Sequence, residues 1–142
     1  MLAGQLALIA ASLFTGAAAY INIAEHPARL GLDDKALLAQ WKPSYARGYV
    51  MQATLAVVSG VCGLAACWVM GDWRWAIGAV LILANWPFTF LGIMPTNHKL
   101  NDVPIDKADA ATRAMLILWG RLHAIRTFLG IAATLAYLWA MN

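Results

Sequence analysis

The run LILWGRLHAIRTFLGIAATLAYLWAM, from Leu116 to Met141, decides the fold. It is long enough to cross a hydrocarbon core, which takes about 20 residues. Yet Arg121, His123 and Arg126 stand at its mouth. A charge near the bilayer centre costs about 2.5–3.5 kcal/mol on insertion scales, so these side chains need partners, water or a task. Three further apolar runs, Leu2–Ile23, Val50–Met70 and Trp73–Met94, repeat the pattern. Together they predict an all-α transmembrane four-helix bundle, one integral membrane domain over residues 1–142 with spans near 3–24, 48–70, 73–95 and 116–141. Composition agrees: 62% of the residues are hydrophobic and only 12% charged, against about 25% charged in soluble domains.

The first run could be read as a signal peptide, because Ala17-Ala18-Ala19 looks like a cleavage site. No Lys or Arg precedes Arg29, so the positive n-region is missing, and the run is read as a retained span. Basic residues gather in the first connection (Arg29, Lys35, Lys42, Arg47) and the third (Lys99, Lys107, Arg113), while the second holds only Arg74. The positive-inside rule then places connections one and three in the cytoplasm and both termini outside. A bacterial inner membrane is the expected setting. Trp68, Trp73, Trp75, Tyr137 and Trp139 are predicted to form an outer aromatic belt.

The net charge of +3 is explained by these orienting loops and points to no nucleic-acid partner. Cys62 and Cys67 match no metal or redox spacing and read as small packing residues. Asp33 to Trp41 reads as a short amphipathic helix in the first cytoplasmic loop. It is acid-capped, ends before Pro43 and suits the membrane surface. Asp106 is the expected cap of the fourth helix, which would then run to Met141.

Helical phasing at about 100° per residue puts Thr15, Asn22, His26 and Arg29 on one face of the first span. Tyr45, Tyr49, Gln52, Ser59 and Gly63 share a face of the second, and Asn85, Thr89, Gly92 and Thr96 of the third. On the fourth the face is Met115, Trp119, His123, Arg126 and Gly130, with Arg121 elsewhere. Lipid cannot satisfy such groups, so the faces turn inward, and every span concentrates them toward the cytoplasmic half. The pattern predicts a polar-floored cavity open to the cytoplasm or the inner leaflet. Pro87, in Asn85-Trp86-Pro87, frees a carbonyl near Leu83 and is expected to kink the third span.

Plainer readings stand beside these. Glu25, His26 and Arg29 can be interfacial residues whose charges reach water, Arg47 and Arg121 topology determinants, Trp41, Tyr45 and Tyr49 belt aromatics, and His98 a loop residue. His123 and Arg126 can be a hydrogen-bonded pair that only fixes packing. His26, His123 and Glu25 offer ligands of the type that suits iron or zinc, but without HxxxH or ExxH spacing. No metal ligand set is assigned, and a bound metal stays open.

Several segments carry a family likeness: Leu13 through Glu25-His26-Pro27-Ala28-Arg29, Trp41-Lys42-Pro43-Ser44-Tyr45, Asn85-Trp86-Pro87-Phe88-Thr89, Met94-Pro95-Thr96-Asn97, and Trp119 through Arg126. Across nearly its whole length the chain resembles the anthrone oxygenase-like family of small four-helix membrane proteins. That resemblance implies oxidation of an anthrone-like phenolic or ketone substrate to a quinone, with molecular oxygen as co-substrate and no cofactor. It further implies a base (His123 first, then His26) and a cationic oxyanion partner, Arg126. Asn85, Asn97 and Tyr45 would orient the substrate, and Trp86, Trp119 and Met115 would wall in a flat ring. Glu25 would orient His26 or pair with Arg29. The alternatives are a binding or transport protein for a lipophilic small molecule, a metal-dependent membrane oxidase, and a structural membrane subunit. Glycines on several spans, Gly60, Gly63, Gly78 and Gly130 among them, allow close helix contact, and a homo-oligomer is expected as an option.

Overall fold

The computed structural model describes residues 1–142 as four helices joined by short turns, with no strand. The helices are α1 (Leu2–Leu30), α2 (Asp34–Met70), α3 (Arg74–Asp102) and α4 (Ala110–Met141), and each is long and apolar enough to cross a membrane. They run up and down in antiparallel order. α1 packs beside α2 and α4, α3 also packs beside α2 and α4, and the diagonal pairs barely touch. The second half of α3 packs its backbone beside α4 and keeps it further from α2, so side chains alone bridge a cleft on that side.

Three apolar layers and one polar layer fill the bundle. At the end that carries the termini, Ala7, Ala11, Ala66, Trp75, Tyr137 and Ala140 pack together. Phe14, Ala18, Ala56, Ile82 and Ala133 form the middle layer. At the opposite, basic end, Leu37, Leu38, Trp41, Ile93, Leu100, Leu116 and Trp119 close the bundle. Between the last two layers lie Gln52, Asn85, Thr89, His123 and Arg126, all buried. Parts of the inward faces expected from phasing on α2, α3 and α4 thus meet at one level, whereas Thr15, Ser59, Gly63 and Gly130 of the same faces lie among the apolar layers; Arg121 is exposed outside them.

Four expectations are corrected. The segment from Asp33 is helical and acid-capped, with the Asp33 carboxylate accepting from the Lys35 and Ala36 amides. However, it does not stop before Pro43; it continues unbroken into α2. A proline inside a helix costs about 3 kcal/mol. Leu37, Leu38 and Trp41, each fully buried, gain about 1.5–3 kcal/mol apiece from burial and outweigh it. For the same reason these residues, Trp41 included, belong to the core and not to the membrane surface. The cap of α4 is Asp109 in place of Asp106. Its carboxylate accepts from the Thr112 amide while the Thr112 hydroxyl approaches the Asp109 amide, a reciprocal box. Trp75 and Tyr137 leave the predicted aromatic belt for the interior, because Tyr137 donates to the Ser59 carbonyl at 3.0 Å. Its ring lies over Gly63 and Gly78, where any Cβ would collide with it. Trp68, Trp73 and Trp139 are exposed.

Prolines shape the rest. Pro27 and Pro95 lack an amide hydrogen, and each is preceded by a wide π turn, Ile21–Glu25 and Thr89–Ile93. In a plain α-helix, residues eight apart drift about 80° around the axis. The wider turn in α1 takes up part of that drift and returns His26 to the inward side below Ala18. Pro87 marks the break expected in α3. The helix pauses at Ala84, and the Asn85 side-chain amide donates to the Ile82 carbonyl at 3.1 Å.

Candidate functional site

The polar layer is organised around α4. His123 is buried, with the Trp119 ring 5.0 Å away one turn earlier. Its Nδ1 lies 2.8 Å from Asn22 Oδ1 on α1. The same amide donates through Nδ2 to the Gly120 carbonyl at 2.9 Å, and its oxygen accepts from the Thr127 hydroxyl at 2.7 Å. Three hydrogen bonds thus fix this part of α4 against the π turn of α1.

Arg126, one turn further, is buried without an anionic partner. The three ion pairs of the chain are Glu25–Arg29, Asp72–Arg74 and Asp34–Arg113. Arg126 has only the Phe14 ring, 5.6 Å from Cζ, as a cation–π contact, and its Nε is unpaired. No hydrogen bond joins it to His123, so the reading of the two as a hydrogen-bonded packing pair is not what the geometry holds.

Two small cavities meet at Arg126 and Tyr49, in the cleft between α2 and α3. One, about 20 Å³, is bordered by Tyr45, Gln52, Asn97, Trp119, His123 and Arg126. The other, about 10 Å³, is bordered by Ala53, Asn85, Trp86, Thr89, Phe90 and Arg126. Each is about the size that one water requires. A polycyclic ligand needs several hundred Å³, far more than either cavity holds. Around this cleft an unusual number of buried polar atoms lack partners: Gln52 Nε2, Asn85 Oδ1, Asn97 Oδ1, Trp86 Nε1, Trp119 Nε1 and Arg126 Nε. Protein interiors leave few such atoms unpaired, and these include donors and acceptors beside a fixed cation.

The remaining candidates form a second group. His26 packs its ring 5.2 Å from Trp119 and against Gly120, a contact that a side chain at Gly120 would block. Both His26 ring nitrogens are unpaired. Arg29 is buried, ion-paired with half-buried Glu25, and its Cζ lies 5.9 Å from the Trp119 ring. Glu25, His26 and Arg29 do not border either cavity, while Tyr45, Asn85, Trp86, Asn97, Trp119, His123 and Arg126 do. No three His, Cys, Asp or Glu side chains converge anywhere in the chain, so His26, His123 and Glu25 do not form a ligand set. Sequence reasoning placed Asn22 and Gln52 on polar faces without giving them a role; that facial position was the one available signal.

A family model described as anthrone oxygenase matches residues 41–136, more than half of the chain. The chain belongs to the anthrone oxygenase family. No curated protein and no solved structure matches it. The family match takes in α2, α3 and α4 from Trp41 onward, and with them every side chain named as bordering the two cavities. Asn22, Glu25, His26 and Arg29 lie outside it. Family membership carries an oxygenase-type function, and the four apolar helices make the protein a multi-pass membrane protein.

Proposed function

We propose that the protein is a membrane-embedded, cofactor-independent oxygenase that converts a lipophilic anthrone-like phenolic or ketone substrate to the quinone, with dioxygen as co-substrate. The observation that carries this reading is Arg126, a buried cation without an anionic partner on the border of a cavity shared with His123. A charge held that way is costly to the fold and is suited to an oxyanion that forms only during reaction.

An anthrone carries an acidic methylene opposite its ketone. His123 takes one methylene proton, and the electron pair moves onto the ketone oxygen beside Arg126. The anion passes one electron to dioxygen, and the resulting carbon radical and superoxide combine in a new carbon–oxygen bond. The peroxide takes a proton from the imidazolium. Loss of the second methylene proton then breaks the oxygen–oxygen bond, leaving one oxygen atom in the new carbonyl and the other in water. Asn85, Asn97 and Tyr45 orient the ring, and Trp86 and Trp119 flank it. On the loop charges we place both termini outside and the site toward the cytoplasm.

The test is oxygen uptake by the purified protein in lipid nanodiscs supplied with anthrone. One dioxygen is consumed per quinone formed, with heavy oxygen from labelled gas appearing in the new carbonyl. His123→Ala lowers the rate by roughly 10²–10⁴-fold, the usual worth of a positioned base. Unchanged turnover in that folded variant removes His123 as the base.

A further inference from the structure

Asn22 sits where its amide can decide the protonation of His123. The Gly120 carbonyl can only accept a hydrogen bond, so the amide atom 2.9 Å from it is Nδ2. The opposite atom is therefore Oδ1, which can only accept. The Thr127 hydroxyl donates to it at 2.7 Å, and His123 Nδ1, 2.8 Å away, must carry a hydrogen to join it. Turning the amide over would set two oxygens face to face at Gly120. It would also aim an N–H at Nδ1.

A neutral imidazole protonated on Nδ1 is bare on Nε2. Nε2 makes no hydrogen bond within the chain, and His123 borders the larger cavity. From this juxtaposition we infer that Asn22 is the positioning residue of His123: it holds the ring in the Nδ1–H tautomer and presents a free Nε2 lone pair to the ligand. The π turn Ile21–Glu25 contains Asn22, so the wide turn ahead of Pro27 serves this bond. Asn22 acts through His123 and touches no substrate. The inference rests on His123 as the base in the function proposed above, but it concerns a property of the resting protein.

Nitrogen-15 NMR of the full chain in nanodiscs, with labelled histidine, reads the tautomer directly. The His123 signals are identified by their loss in His123→Gln. The expected result is a protonated Nδ1 and a bare Nε2, with that preference lost in Asn22→Leu and kept in Asn22→Asp. A wild-type ring protonated on Nε2 overturns the inference whether or not Asn22→Leu folds. So does an unchanged tautomer ratio in folded Asn22→Leu. With anthrone as probe, Asn22→Leu lowers kcat by roughly tenfold or more. Asn22→Asp restores turnover and moves the acid limb of the pH profile upward, because a carboxylate holds the imidazolium. Rescue without that shift contradicts the assignment. Absence of anthrone turnover in the wild type would refute the proposed function and leave the tautomer result standing.

Discussion

At the scale of single residues, Arg126 is where the proposed catalytic role of the polar layer and a packing role predict different outcomes. A buried charge that stabilises its fold has a partner, and its loss leaves that partner stranded at a cost of about 3–5 kcal/mol. Arg126 has no carboxylate and no hydrogen bond within the chain. Arg126→Leu is therefore expected to leave the thermal unfolding midpoint in detergent unchanged or higher, while kcat falls by roughly 10²–10³-fold, as when one oxyanion donor is removed. A lower midpoint with unchanged turnover would assign Arg126 to packing. The inward aim of His123 and Arg126, and the outward aim of Arg121, were legible from helical phase alone. The bond between His123 and Asn22 was not, because phase gives the face of each helix and not the register between helices. The same limit explains why His26, on the polar face of α1, ends against Trp119 and Gly120 and borders neither cavity.

At the scale of elements, close approach and capping set the geometry. Gly120 lets the His26 ring lie directly on α4. Gly120→Ala places a methyl group in that ring, and the overpacking is expected to cost about 1–3 kcal/mol. It is measured as a lower unfolding midpoint and relieved in the double variant Gly120→Ala/His26→Ala. The helix caps add a dependence on pH. The exposed carboxyl of Asp109 is held below its ordinary value chiefly by the Thr112 amide, then by the Thr112 hydroxyl. That of Asp33 is held down chiefly by the Ala36 amide. A carboxyl that ionises more readily in the folded chain stabilises it fully above the unfolded pKa, about 4. That contribution is lost as pH falls through the lower folded value. The unfolding midpoint is thus expected to drop below about pH 4, and Asp109→Asn, a comparable cap that does not titrate, to flatten part of the drop. An equally steep profile in that variant would remove the Asp109 cap as a cause. The existence of these helices was legible in the hydrophobic runs. The continuation of α2 through Pro43 was hidden, because a local proline signal competes with burial of Leu37, Leu38 and Trp41 by residues far along the chain.

At the scale of the whole molecule, one polar layer lies between apolar layers, beside a cleft that opens where α3 is broken at Ala84 and widened at Thr89–Ile93. The four spans and the grouping of polar residues toward the basic end followed from composition and phase. The cleft did not, since it depends on α3 leaning to α4 and away from α2. The glycines Gly60, Gly63, Gly78 and Gly130 all face neighbours inside the bundle. Their close-contact role is met within a single chain. In the function proposed above, His123 is the base and Arg126 the cation beside it on one cavity, so the central chemical act of that proposal is removal of a proton to form a stabilised enolate. That act can be watched apart from oxygen. Without oxygen and in heavy water, the protein should exchange the methylene hydrogens of anthrone for deuterium well above the background rate, and His123→Ala and Arg126→Leu should each remove the acceleration. Exchange at the background rate with the wild-type protein, or acceleration that survives both substitutions, would contradict the assignment.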